Sequence, residues 1–268
     1  NMVREETTIM ENILLYPHKN IVKCHEVIDD IDCIYIIMEY CGGKDFSQLL
    51  GKSLRESIII FYFNQIINGL KYLFDRRIIH RDIKPKNLLL TSNKMVIKIC
   101  DFGFAKPKDP TKNKWSVCGS PLYMAPELFS KQLCTEGVDI WAVGMILYEM
   151  VYGIHPLYNC YNLDELQTAL DEPIEFNTTN SYGVRISNEC IELMGQLLDT
   201  NEMKRIGIDN LYENNWATTM IKTDDEIEEI LINNNIRGNY DDKGNGNINK
   251  KDETDIIKGD DDLFSFDI

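Results

Sequence analysis

The chain has 268 residues, 44% of them hydrophobic, and a formal net charge of −15. That apolar share is enough for a substantial core. The acidic balance argues against nucleic acid as a partner, because phosphate binding draws on clustered Lys and Arg.

The charge is uneven: residues 223–268 hold 14 Asp or Glu against 5 Lys or Arg, a net of −9, which leaves −6 for residues 1–222. No apolar run approaches a membrane span and no charged-then-apolar leader is present, so a soluble, cytoplasmic protein with no membrane partner is expected. The eight Cys form no CxxC pair and the four His complete no zinc pattern. They read as reduced thiols of an intracellular protein.

In chain order, the first predicted element is a helix over MVREETTIMENI, with Ile9, Met10 and Ile13 as its core-facing stripe. Glu6 lies three, four and seven residues ahead of those positions. Residues 20–30 and 33–41 read as two β-branched strands joined by a turn rich in Asp29, Asp30 and Asp32. The run from Leu54 to Phe74 is apolar around most of its circumference, as a helix buried in a lobe centre should be. A further helix, DIWAVGMILYEMV, opens at Asp139.

Three motifs follow in fixed order: HRDIKPKNLLL at 80–90, KICDFGFAK at 98–106 and CGSPLYMAPELF at 118–129. Asp82 to Asn87 is five residues, Asn87 to Asp101 fourteen, and Asp101 to Glu127 twenty-six. Together they resemble the catalytic machinery of eukaryotic Ser/Thr protein kinases. The resemblance implies an α+β, protein-kinase-like bilobal fold. Residues 1–40 would form a truncated small β lobe, 41–220 a large mainly α-helical lobe, and 221–268 an acidic, disordered tail.

It also implies roles. Asp82 would accept the proton of a substrate hydroxyl, Lys84 would meet the transferring phosphate, and Asn87 and Asp101 would hold the Mg2+ ions that bridge the phosphates of ATP. Met38 would be the gatekeeper, Glu39 to Cys41 the hinge that binds adenine, Asp45 the carboxylate near the ribose, and Leu89 the floor under the ring. Glu6, with Glu5 as its rival, would be the glutamate that pairs with a lysine on a preceding strand. No glycine-rich loop or lysine strand stands ahead of it in this sequence. The chain as written is therefore expected to lack the first strands of the small lobe and to bind ATP poorly.

Other positions resemble structural parts of the same family. His80 and Phe102 would stack, Asp139 would tie down the catalytic-loop backbone, and Glu127 would form a buried ion pair with Arg205. Lys84 and Ser120 point to the Ser/Thr class, so protein Ser/Thr hydroxyls are the implied substrates. Arg81 beside Asp82 implies control by a phosphate on the activation segment, with Ser116 the candidate site and Thr111 another hydroxyl in reach. Lys86 makes a preference for arginine at its subsite unfavourable. CDFGFAK with SVCGSPLYMAPELF resembles the ULK-type autophagy kinases.

The tail carries one more outline. DDKGNGNINKKD, residues 241–252, follows an EF-hand calcium loop, but Lys243 occupies a ligand position and Asp252 replaces the bidentate Glu. Two alternatives to an active kinase stay open: a pseudokinase scaffold, and a calcium-regulated kinase. The acidic tail is also a candidate surface for a regulatory partner.

Overall fold

A computed structural model describes residues 2–30, 33–108, 119–129, 135–219 and residue 232. Helix α1 (Met2–Leu15) buries Ile9, Met10 and Ile13, the stripe that its spacing predicts. Strands β1 (Cys24–Asp29) and β2 (Ile34–Met38) form an antiparallel hairpin in which Val27 faces Ile36 and Ile28 faces Tyr35. Val27 and Ile36 pack on the core, while Ile28, Tyr35 and Ile37 stay exposed on the alternate positions.

After a 3-10 turn at Phe46–Leu49, helix α2 (Glu56–Asp75) runs through the centre. Tyr62, Phe63, Ile66 and Leu70 on it are fully buried. Each such side chain contributes about 1.5–3 kcal/mol of transfer free energy. The helix stops at Arg76, and Arg77 in the left-handed region (φ 57°) turns the chain towards the catalytic segment.

Two more short antiparallel pairs carry that segment. Strand β3 (Ile78–Ile79) pairs with β6 (Lys106–Pro107), and β4 (Leu88–Leu90) pairs with β5 (Ile97–Ile99). Helix α3 (Pro126–Phe129) follows, and then α4 (Gly137–Tyr152), which is buried on nearly every side. It ends at Gly153, whose φ of 77° suits a residue without a Cβ. Helices α5 (Leu163–Leu170), α6 (Asn188–Leu197), α7 (Ile208–Tyr212) and α8 (Asn215–Thr218) complete the described chain. Asn162, Ser187 and Asn214 cap α5, α6 and α8 with side-chain oxygens on backbone N–H groups, as their residue types favour.

One buried polar junction fastens the segment before β1 to the rest. Asn20 donates to Gln65 Oε1 and to the Ile97 carbonyl, both at 3.1 Å, and the Ile97 N–H donates to the same Gln65 oxygen at 3.0 Å. Every partner is satisfied inside the core, so the junction resists sliding. The architecture is α+β, as the sequence leads one to expect.

Candidate active site

The catalytic segment is held from beneath by Asp139 on the first turn of α4. Its carboxylate accepts the His80 N–H at 2.7 Å and the Arg81 N–H at 2.8 Å. Burial pushes the Asp139 carboxyl up, and the hydrogen bonds from the His80 and Arg81 N–H groups work against that rise. Two donors on one buried carboxylate leave the loop little freedom, and Arg81 keeps a φ of 66° as a result.

His80 is fully buried and is structural. Its Nδ1 accepts the Asp82 N–H at 3.3 Å and its Nε2 lies 3.0 Å from the Cys100 carbonyl, which fits the neutral tautomer protonated on Nε2. Its ring lies 5.1 Å from that of Phe102.

Asp82 is buried at 4% exposure, yet both carboxylate oxygens are engaged. Oδ1 accepts the Ser120 N–H at 2.9 Å. Oδ2 accepts Asn87 Nδ2 at 2.9 Å and lies 3.2 Å from Lys84 Nζ. Lys84 Nζ also donates to Ser120 Oγ at 2.6 Å. The four side chains thus form one charge-assisted cluster that joins the HRD segment to the GSP segment. Gly119 permits this closeness: its φ is 97°, and a Cβ there would stand 2.5 Å from the Arg81 carbonyl oxygen.

Asn87 gives its amide N–H groups to the Asp82 carbonyl and carboxylate, which leaves its Oδ1 as an oxygen donor. Asp101 is exposed, at a φ of 64°, and among the described residues its Oδ1 takes the Gly103 N–H at 3.3 Å. An amide oxygen and a free carboxylate are hard ligands that suit Mg2+, which takes one or two protein oxygens and completes its shell with phosphates and water. Among the described residues no group of three or more His, Cys, Asp or Glu could hold an ion by itself.

Glu6 stands near this group. Burial and then the Asp101 charge push its carboxyl up, and no hydrogen bond or ion pair of Glu6 is found among the described residues. The side chain of Glu5 lies outside the described residues, as do Ser116, Thr111 and the 241–252 loop.

Of the residues expected to form the hinge, Tyr40 is 92% exposed, and Glu39 and Cys41 are half-buried. Met38, at the end of β2, is 45% exposed, so it is not the packed core side chain that a blander reading would make it. Glu39 takes the Lys23 N–H at 2.7 Å and Lys98 Nζ at 2.7 Å. Burial works to raise its carboxyl, but the Lys98 and Lys23 hydrogen bonds leave it below its ordinary value. Burial, and then Glu39, pushes the half-buried Cys41 thiol up. Asp45 accepts the Ser47 N–H at 3.0 Å and its backbone bridges Leu89, which is half-buried between the fully buried Leu88 and Leu90.

On the other side, a cleft is lined by Asp82, Ser120, Tyr123, Met124 and Leu128. Tyr123 donates to Glu149 at 2.9 Å and packs edge-on to His155 at 5.1 Å. Arg205 grips Glu127 with two bonds, 2.7 and 2.9 Å, donates to the Gly137 carbonyl, and lies 5.0 Å from the Trp141 ring centre. Sequence reasoning anticipated this pair. It missed Lys98, Gly119 and His155; Lys98 had one available signal, a cation alternating with the core residues Ile97 and Ile99.

Residues 1–217 match the family model for the protein kinase domain. The chain belongs to the protein kinase family. It is 40% identical over 206 residues to the serine/threonine-protein kinase atg1 of Dictyostelium discoideum, covering 74% of this chain and 30% of that protein. It is 35% identical over 205 residues to the serine/threonine-protein kinase ULK3 of Homo sapiens, covering 75% and 42%, and 33% identical over 206 residues to ATG1a of Arabidopsis thaliana, covering 75% and 32%. This kinase chain spans less than half the length of these relatives. They bear out the ULK-type resemblance carried by its activation-segment motifs. Among the described residues of the kinase, no helix is long and apolar enough to cross a membrane.

Proposed function

We propose that this chain carries the large-lobe half of the active site of an ATP-dependent protein Ser/Thr kinase. The observation that supports it most is the single cluster of Asp82, Lys84, Asn87 and Ser120 with Asp101 alongside. Asp82 accepts the proton of a substrate Ser or Thr hydroxyl. Its carboxylate is fixed before substrate arrives, so little reorganisation remains to be done in the transition state. Lys84 holds its positive charge where the transferring phosphate passes. Ser120 Oγ orients that ammonium.

Asn87 Oδ1 and the Asp101 carboxylate hold Mg2+, which when bound neutralises charge on the phosphates of ATP. The backbone of Glu39 to Cys41 binds adenine, with Met38 and Leu89 beside it and Asp45 at the ribose. Glu6 serves a lysine on a preceding strand. Arg81 is the partner of a phosphate on the activation segment, with Ser116 as acceptor. In this reading residues 1–40 belong to the small lobe, 41–220 to the large lobe, and the tail is available to a regulatory partner. A reducing cytoplasm suits ATP chemistry and the free thiols of the described cysteines.

The test uses residues 1–268 fused behind a glycine-rich loop and a lysine-bearing strand, supplied with Mg2+, γ-labelled ATP and a mixed protein substrate. Label is expected on Ser and Thr, and Asp82→Ala is expected to lower turnover by roughly 10²–10⁴-fold with little change in the KM for ATP. Equal turnover in the two proteins would refute the assignment.

A further inference from the structure

Three lysines lie on the β4–β5 hairpin and the 3-10 turn beside it, near enough for their charges to act on one another. Lys44, at φ 66°, accepts the Leu90 N–H on its carbonyl at 2.8 Å, which sets it beside the β4–β5 hairpin. Lys94, at φ 57°, stands at the tip of that hairpin, its carbonyl held by the Tyr62 hydroxyl at 2.8 Å. The Phe46 ring packs edge-on against Tyr62 at 5.2 Å, and Lys52 follows Gly51 just beyond that 3-10 turn. Burial, then the charges of Lys52 and Lys44, hold the Lys94 ammonium below the usual lysine range.

None of the three ammonium groups has a hydrogen bond or ion pair among the described residues. Lys71, Lys84, Lys98 and Lys108, by contrast, each sit on a carboxylate. Asp45, next to Lys44, turns its carboxylate to Ser47. In a chain of net charge −15, a group of like positive charges without a partner is an attractor for acidic groups.

The same chain supplies them. Residues 223–268 carry 14 acids against 5 basic residues, with Asp224, Asp225 and Glu226 at one end and Asp260, Asp261 and Asp262 at the other. The chain leaves the described fold beside α2: Asn64 Nδ2 donates to the Ala217 carbonyl at 3.0 Å, two residues from Tyr62, which holds Lys94. The segment 223–268 has 46 residues at up to ~3.3 Å each when extended, so reach around the lobe is no obstacle.

We propose that Lys44, Lys52 and Lys94 form the docking site, within the same chain, for the acidic C-terminal segment 223–268.

The experiment is carbodiimide coupling of the complete 268-residue chain at low ionic strength, which joins a carboxylate to a lysine amine as an amide while the carbodiimide takes up the water as its urea. Peptides from 223–268 are expected on Lys44, Lys52 and Lys94 in preference to the exposed Lys19, Lys23 and Lys204. Yield is expected to fall about threefold or more at 1 M salt, where the screening length is ~3 Å. In the variant K44Q/K52Q/K94Q, trypsin is expected to cut after Lys250 and Lys258 faster than in the parent. Coupling spread evenly over exposed lysines would overturn the proposal. So would products that form only between chains in a mixture of isotopically distinct copies, which would assign the site to a second molecule.

Discussion

The HRD segment and the β1–β2 hairpin are built on opposite terms. Beneath the first, Asp139, His80 and Asp82 are all under 5% exposed, and every carboxylate oxygen has a donor. On the second, Ile28, Tyr35, Ile37 and Met38 are 42–50% exposed although they are apolar. The catalytic side derives its order from residues within the described chain. The hairpin presents a sheet face and edge that the described residues leave uncovered, and an unpaired edge is available to another strand. The order of the HRD segment is thus separable from that of the hairpin.

The largest break in that contrast is expected at Arg205→Leu. It strands Glu127 in the core, and the loss of one partner of a buried pair costs about 3–5 kcal/mol, read as a lower urea midpoint. Asp139→Asn comes next. It replaces an acceptor with an NH2 group facing the His80 or Arg81 N–H, and a cost of about 1–3 kcal/mol in the same titration is expected.

The pH dependence of stability sharpens the comparison. His155 is buried beside Tyr123, and burial lowers its pKa from 6.5 to about 3. Between those values the unfolded chain binds a proton that the folded chain refuses. The neutral imidazole therefore contributes stability in full above pH 6.5, and this is lost as pH falls towards 3, by up to about 1.4 kcal/mol per pH unit. Urea midpoints at several pH values should show a shallower slope for His155→Gln; an identical slope would mean that His155 titrates normally. On the hairpin, Tyr35→Thr is expected to change stability by no more than about 0.5 kcal/mol, because the ring covers little in this chain. The smallest effect is expected at Glu6→Gln. Its carboxyl is pushed up by burial and by Asp101, so a neutral amide should raise the melting temperature slightly. A fall would reveal a cation beside Glu6.

Much of the catalytic side was legible in the sequence because its chemistry demands residue types at fixed intervals. The resemblance to the kinase motifs singles out Asp82, Asn87 and Asp101, with their spacing in support, and the Glu127–Arg205 pair by its place in the family pattern. The helices were legible for a different reason: α1 and α2 bury stripes or near-complete surfaces that show in the apolar spacing. What stayed hidden depends on tertiary approach. Nothing in the spacing says that Glu39 folds back onto Lys23 and Lys98, that Gly119 presses against the Arg81 carbonyl, or that His155 sits beneath Tyr123. The exposure of Met38 was likewise invisible, since an apolar residue at a strand end reads as core until its neighbours are known.

Amide hydrogen exchange on the 268-residue chain without nucleotide tests the central claim most directly, that the catalytic loop is ordered in advance. The N–H groups of His80 and Arg81, bonded to Asp139, and of Ser120, bonded to Asp82, are expected to exchange only through large-scale unfolding. The amides of β1 and β2 are expected to exchange well before them. Equal rates for the two sets, or faster exchange at His80, Arg81 and Ser120, would contradict the account.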